Sequence, residues 1–133
     1  VYGPGQIENG EWATVIGIFE KCYREGRPLP IVGKGDQKRD FTHIDDIVVG
    51  LVDLGTVVRE HKTKGTVVDL GRNQPYSILD VAHMFGKSVN FNAHQSGNYL
   101  SSVGDFSVAR RLIRWKPTKN LKGYIKDVKR RFN

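Results

Sequence analysis

Three observations predict a mixed α/β fold in a single domain. Apolar residues recur at helical spacing in several separate stretches. Short β-branched or proline-flanked runs lie between those stretches. Glycine, proline and polar turn residues mark the boundaries, with 15 glycines and 5 prolines among 133 residues. A chain of this length supports one ordinary core and leaves little room for a second. It should bury about two-thirds of the surface its unfolded form exposes, so neither a disulfide nor a metal is required. The single Cys22 fits that expectation.

Taken in order, Val-Tyr-Gly-Pro-Gly reads as a strand end running into a turn, and without a methionine before it an upstream part is expected. From residue 11 to about 25, Trp12, Val15, Ile16, Phe19, Cys22 and Tyr23 form one apolar helical stripe, which Gly26 ends. Residues 29–32 and 40–43 read as a hairpin or two linked strands, with a donor-rich loop between them. Thr42 or Asp45 can cap a second helix through Ile47, Val48, Leu51, Val52 and Leu54 to about residue 60. Its near-continuous apolarity implies burial. Residues 66–70 are a β-branched strand closed by Gly71, and Ser77 with Asp80 forms a capping box ahead of Ile78, Val81, Ala82 and Phe85. Residues 89–91 give a short strand, 92–104 a polar loop, and Ser107 starts a short helix through Ile113. Beyond the break at Pro117, Leu121, Tyr124, Ile125, Val128 and Phe132 make a last amphipathic helix.

The formal net charge of +7 favours anionic partners without choosing among them. Between residues 110 and 131 a dense run of Lys and Arg meets only Asp127 as an acid. That run is either a solvated face or a polyanion-binding surface. No stretch approaches the roughly 20 apolar residues of a spanning helix. One cysteine and no leader-like start point to the cytoplasm. His43, Asp45 and Asp46 read as a strand-to-helix junction with cap carboxylates in preference to metal ligands. His61, His83 and His94 are scattered singly, and Cys22 lies on the apolar stripe as a small hydrophobe. No glycine trio has dinucleotide spacing, no phosphate-loop motif occurs, and no tyrosine is followed by lysine four positions later. No catalytic, cofactor-binding or metal-binding residue is therefore assigned.

The richest segment is Pro-Leu-Pro-Ile-Val-Gly-Lys-Gly-Asp-Gln-Lys-Arg-Asp-Phe-Thr-His-Ile-Asp-Asp, residues 28–46. Before it stands Tyr2-Gly3-Pro4. After it come Val-Asp-Leu-Gly, Ser-Ile-Leu-Asp-Val-Ala and Asp-Phe-Ser-x-Ala-Arg-x-Leu-Ile-x-Trp-x-Pro. In this order the blocks closely resemble the carboxyl-terminal, substrate-binding portion of NAD-dependent sugar-nucleotide epimerases and dehydratases, the extended short-chain dehydrogenase family. The resemblance covers nearly the whole chain. It implies an incomplete α/β fold, mainly the substrate-binding lobe, in which the strand at 66–70 normally joins a Rossmann sheet. Residues 1–133 would be one substrate-binding segment, with the NAD-binding Rossmann portion absent from this chain.

The resemblance also supplies site residues. Arg39 would contact the substrate diphosphate, a task suited to a planar guanidinium that bonds two phosphate oxygens. A surface arginine paired to a carboxylate is the structural alternative. Pro30 and Val32 would hold the base, and Ala13 and Thr14 would bring a helix start to the diphosphate. Gln95 stands where many relatives carry a second phosphate arginine, a departure that removes a charge-assisted contact. The implied function is binding of a nucleotide-diphosphate sugar for an enzyme that remodels it through transient oxidation by bound NAD. This chain alone would bind no NAD and be inactive. It would associate with itself or with a separate upstream Rossmann portion. The alternatives are a polyanion or nucleic-acid binding module, disfavoured because Tyr124 and Phe132 look like core, and a non-catalytic assembly domain.

Overall fold

The computed structural model describes residues 1–61, 65–92 and 100–132. Helix α1 (Val15–Arg24) begins where Thr14, in extended backbone, accepts the Gly17 amide on its hydroxyl at 3.0 Å. The chain turns out of it at Gly26, whose φ of +69° is the left-handed conformation glycine tolerates. Ile16, Phe19, Cys22 and Tyr23 face the core. Trp12 does not join that stripe. The Ala13 amide donates to the Gly10 carbonyl, so the chain is still turning there, and Trp12 is 80% exposed.

Strand β1 (Leu29–Val32) and strand β2 (Lys38–Asp40) belong to different sheets, so of the two readings they are linked strands and not a hairpin, with the second strand earlier than expected. Gly33 and Gly35 both adopt positive φ. The Gly35 and Gln37 carbonyls accept the Leu79 and Ile78 amides, which docks the connection on the helix that follows instead of returning β2 along β1. Strand β2 lies at the centre of a three-stranded sheet, antiparallel to β3 (Pro75–Ser77) and parallel to a later strand at Ser101–Ser102. Residues 41–43 lie beyond β2, where Tyr2 bridges His43.

Helix α2 (Ile44–His61) is capped by neither Thr42 nor Asp45. The His43 imidazole Nδ1 accepts the Asp45 amide at 3.1 Å. Its expected burial is also corrected. One face packs inward through Asp46 and Gly50, while Ile44, Val48, Leu51, Val52 and Val58 remain exposed along the other. These positions follow a helical repeat, so α2 has apolar surface on two sides and the described chain covers one. Residues 66–70 form no strand and Val67 is 81% exposed, because no neighbouring strand among the described residues offers them a ladder.

Helix α3 (Ile78–Phe85) carries the expected capping box: Ser77 accepts the Asp80 amide at 3.0 Å and Asp80 accepts the Ser77 amide at 3.2 Å. Strand β4 (Val89–Asn92) pairs parallel with β1, placing Asn92 beside Val32. The polar stretch read as loop contains β5 (Ser101–Ser102). Helices α4 (Ser107–Ile113) and α5 (Leu121–Phe132) complete the chain.

The core joins α1, β1, α3 and α5 through Phe19, Leu29, Ile31, Phe85, Leu121 and Val128. A polar network crosses its edge. The Glu20 carboxylate accepts from Gln6 at 3.1 Å, Tyr124 at 2.8 Å and Arg131 at 3.2 Å. Burial, reinforced by the hydrogen bond to Glu20, raises the Tyr124 hydroxyl to about 12, so it stays a donor. Asp46 performs a comparable task at the start of α2. Its carboxylate accepts from the Thr118 amide and hydroxyl at 3.0 and 2.7 Å and from the Lys119 amide at 3.0 Å. Its carbonyl accepts the buried Trp115 indole at 2.8 Å. These contacts fasten the segment between α4 and α5 onto α2.

Candidate functional site

Between the start of α1, the edge of β1 and strand β2 lies a cleft of about 720 Å³. Sequence brings its walls from four places. Ala13, Thr14, Val15 and Ile16 come from the start of α1, Pro30 and Val32 from β1, Asn92 from β4, and Gln37, Arg39 and Asp40 from β2 and its approach. Phe19, Phe41 and Ile78 add apolar surface from the core side.

Arg39 has its backbone fixed on both sides, opposite Tyr76 of β3 and Ser102 of β5. Its side chain is half-buried, and Nη1 donates to the Lys38 carbonyl at 2.8 Å. The next residue, Asp40, accepts the Asn73 amide at 2.8 Å and the Gly104 amide at 3.1 Å on Oδ2. Its Oδ1 is buried with no donor among the described residues. Two loops converge on this carboxylate, and they approach so closely that a Cβ on Gly71 would sit 2.5 Å from the Gly104 Cα. Asp40 thus braces the strand that carries Arg39.

Thr14 is at the cleft, but its hydroxyl is already committed: it accepts the Gly17 amide and donates to Gln6 Oε1 at 3.0 Å. What the helix start offers is its backbone. The first-turn amides of Val15 and Ile16 have no intrahelical acceptor, and the helix dipole favours negative charge there. Across the cleft residues, anion donors therefore meet the flat apolar edges of Pro30 and Val32. Glu11 and Asp40 supply opposing carboxylates.

Five of the expected contact residues, Ala13, Thr14, Pro30, Val32 and Arg39, line this one concavity. The sixth, Gln95, lies outside the described residues. Gln37 and Asn92 were not singled out from sequence. The Gln37 amide donates to the Val32 carbonyl at 3.2 Å, and Asn92 reaches the cleft through the parallel pairing of β4 with β1. Gln37 stood inside the quoted motif and was the one signal available. Asn92 depended on a long-range strand pairing.

The glycine turn after β1 leads to strand β2 and not to a helix whose first turn could receive a pyrophosphate. Likewise the junction residues of α2 are occupied with the fold, since Asp46 serves Thr118 and Lys119 while His43 receives the Asp45 amide.

The 30% identity to dTDP-L-rhamnose 4-epimerase of Burkholderia thailandensis extends over 96% of this chain and 36% of that protein. UDP-glucose 4-epimerase of Mycolicibacterium smegmatis is also 30% identical, over 88% of this chain and 38% of its own length. Among solved structures, UDP-glucuronic acid 4-epimerase from Bacillus cereus, in complex with UDP-glucuronic acid and NAD, matches at 31% identity with a TM-score of 0.74. That match covers 98% of this chain and 43% of the other. Pal from Bacillus thuringiensis matches at 25% identity with a TM-score of 0.87, over 97% of this chain and 42% of that one. The chain thus spans well under half the length of these relatives, as a partial extended short-chain dehydrogenase fold. A family model described as the NAD dependent epimerase/dehydratase family matches residues 1–71, more than half the sequence, and the chain belongs to that family.

Proposed function

We propose that this chain is the carboxyl-terminal substrate-binding segment of an NAD-dependent enzyme that remodels a nucleotide-diphosphate sugar. The observation that carries the reading is the meeting of the Arg39 strand, the first-turn amides of α1 and the Pro30–Val32 edge in one cleft. A diphosphate would bond the guanidinium and the amides, whose interactions with charged oxygens are stronger than neutral ones. A planar base would lie against Pro30 and Val32, with the Gln37 and Asn92 amides at its rim. Grip on this remote part of the ligand orients the sugar for chemistry performed by groups outside these residues.

The cofactor and the reactive groups would come from an upstream portion, in the same polypeptide or a separate one. The apolar stripe exposed on α2 and the unpaired segment at 66–70 support such a partner, or a second copy, because both present surface that a covered enzyme would bury. The work would take place in the cytoplasm.

Amide-resolved NMR titration with UDP-glucose and dTDP-glucose tests the binding role. The expected shifts fall on Val15, Ile16, Val32, Arg39 and Asn92. Shifts confined to α5, or none at millimolar ligand, overturn it. Incubation of the chain alone with NAD and the same sugars is expected to give no turnover, and turnover would contradict the division of labour.

A further inference from the structure

A second concavity, sharing no residue with the cleft, runs between α3 and α5. One hollow of about 370 Å³ lies between Met84 of α3 and Lys122, Ile125, Lys126, Lys129 and Arg130 of α5. Another of about 460 Å³ is lined by Tyr76, Asp80, His83, Met84 and Lys122. Met84 and Lys122 belong to both, so the hollows form one groove.

The helical repeat sets Lys122, Lys126 and Lys129 on one face, directly beside the buried row of Leu121, Ile125 and Val128. Lys129 Nζ donates to the Met84 carbonyl at 3.3 Å near the end of α3. Arg130 pairs with Asp127 at 3.3 Å. Lys122 and Lys126 are exposed and make no ion pair among the described residues. Asp80, the single carboxylate lining either hollow, is engaged by the Ser77 amide in the capping box. The groove therefore combines an apolar floor, the half-buried Met84 over the buried Ile125, with a positive rim.

We propose that this groove binds an acidic segment of a partner protein that carries an apolar side chain between its carboxylates. Charge complementarity selects the acid, and the half-buried Met84 side chain selects the apolar anchor. From Lys122 to Arg130 the helix rises about 12 Å, which matches about four residues of extended peptide. Single-stranded nucleic acid calls for stacking aromatics. Among the described residues the groove's rings are Tyr76, which is half-buried, and a single exposed imidazole, His83, so it offers no run of stacking platforms; Tyr124 is bonded to Glu20, and Phe132 lies under the Arg24 and Arg131 guanidiniums. A lipid surface calls for protruding apolar residues, whereas Ile125 is 1% exposed and Met84 is recessed against α5.

Fluorescence anisotropy with the full 133-residue chain, using the labelled peptide Glu-Glu-Leu-Glu-Glu and its Glu-Glu-Ser-Glu-Glu counterpart, tests the proposal. Saturable binding is expected, with the leucine peptide about fivefold tighter because its anchor leaves water. The double variant Lys122→Glu/Lys126→Glu should weaken it about tenfold. Met84→Ala should bring the leucine peptide down to the affinity of the serine one, and Arg39→Ala should leave both peptides unchanged. Folding of each variant is checked by circular dichroism. Equal affinity for the two peptides, indifference to both groove variants, or tighter binding of oligouridylate or phosphatidylserine vesicles at the same salt overturns the proposal.

Discussion

Asp46 shows how much of this chain one carboxylate can hold. Burial alone would raise its pKa, but the hydrogen bonds from Thr118 and Lys119 outweigh that effect and hold it below the ordinary aspartate value. A lowered folded-state pKa contributes stability that is present above the unfolded value and lost as pH falls through the folded one. Acid unfolding should therefore begin below about pH 4, and Asp46→Ala should flatten that part of the profile. The same variant strands the Thr118 and Lys119 donors and should cost about 3 kcal/mol at neutral pH, read from urea unfolding. A profile unchanged by the variant would contradict the assignment. At this scale Arg39, Pro30 and Val32 were expected through the resemblance carried by the dense motif around them, since by residue type alone Pro30 and Val32 are plain strand residues, and the fold places all three on one cleft. The role of Thr14 was not legible, since only the folded helix start shows its hydroxyl turned to Gly17 and Gln6. Gln37 and Asn92 reach the cleft through contacts between segments far apart in the chain.

Among the elements, the amphipathic helices and the capping box of α3 were readable because their signals are local. The strand partners were not. β1 and β2 are neighbours in sequence, yet the Gly33–Gly35 turn sends them to different sheets, and β5 has two residues with no periodicity to detect. Helix α2 was readable as a helix but not in its exposure, because apolar residues on both faces look the same in sequence whether one side or two are covered. Its two glycines make that distinction testable. A Cβ at Gly50 would meet Leu70 Cδ2 at 2.8 Å and Trp115 Nε1 at 2.9 Å, whereas at Gly55 nothing lies within 4 Å. Gly50→Ala should thus destabilise the chain by about 1–3 kcal/mol through overpacking. Gly55→Ala should stabilise it by up to about 1 kcal/mol through helix propensity. Thermal unfolding of the pair should move in opposite directions, and movement in the same direction would refute the packing described for α2.

At the scale of the whole molecule, the described residues leave a large apolar surface open. Ile44, Val48, Leu51, Val52 and Val58 form a stripe on α2, with Val67 exposed on the segment that follows. Such a surface associates in water. Sedimentation velocity on the isolated chain should show concentration-dependent self-association, and Leu51→Glu/Val52→Glu should return it to monomer with its circular dichroism unchanged. A wild-type chain that stays monomeric throughout would show that the stripe is tolerated in solvent.

The nucleotide-sugar cleft is tested most directly by calorimetric titration of the chain and its Arg39→Ala variant with UDP-glucose and dTDP-glucose. Loss of one charge-assisted contact should weaken binding about 10- to 100-fold, with Arg39→Lys recovering only part of the loss because an ammonium lacks the planar fork. Binding to the wild-type chain that the alanine variant retains in full, or no measurable binding of either nucleotide sugar, would contradict the account.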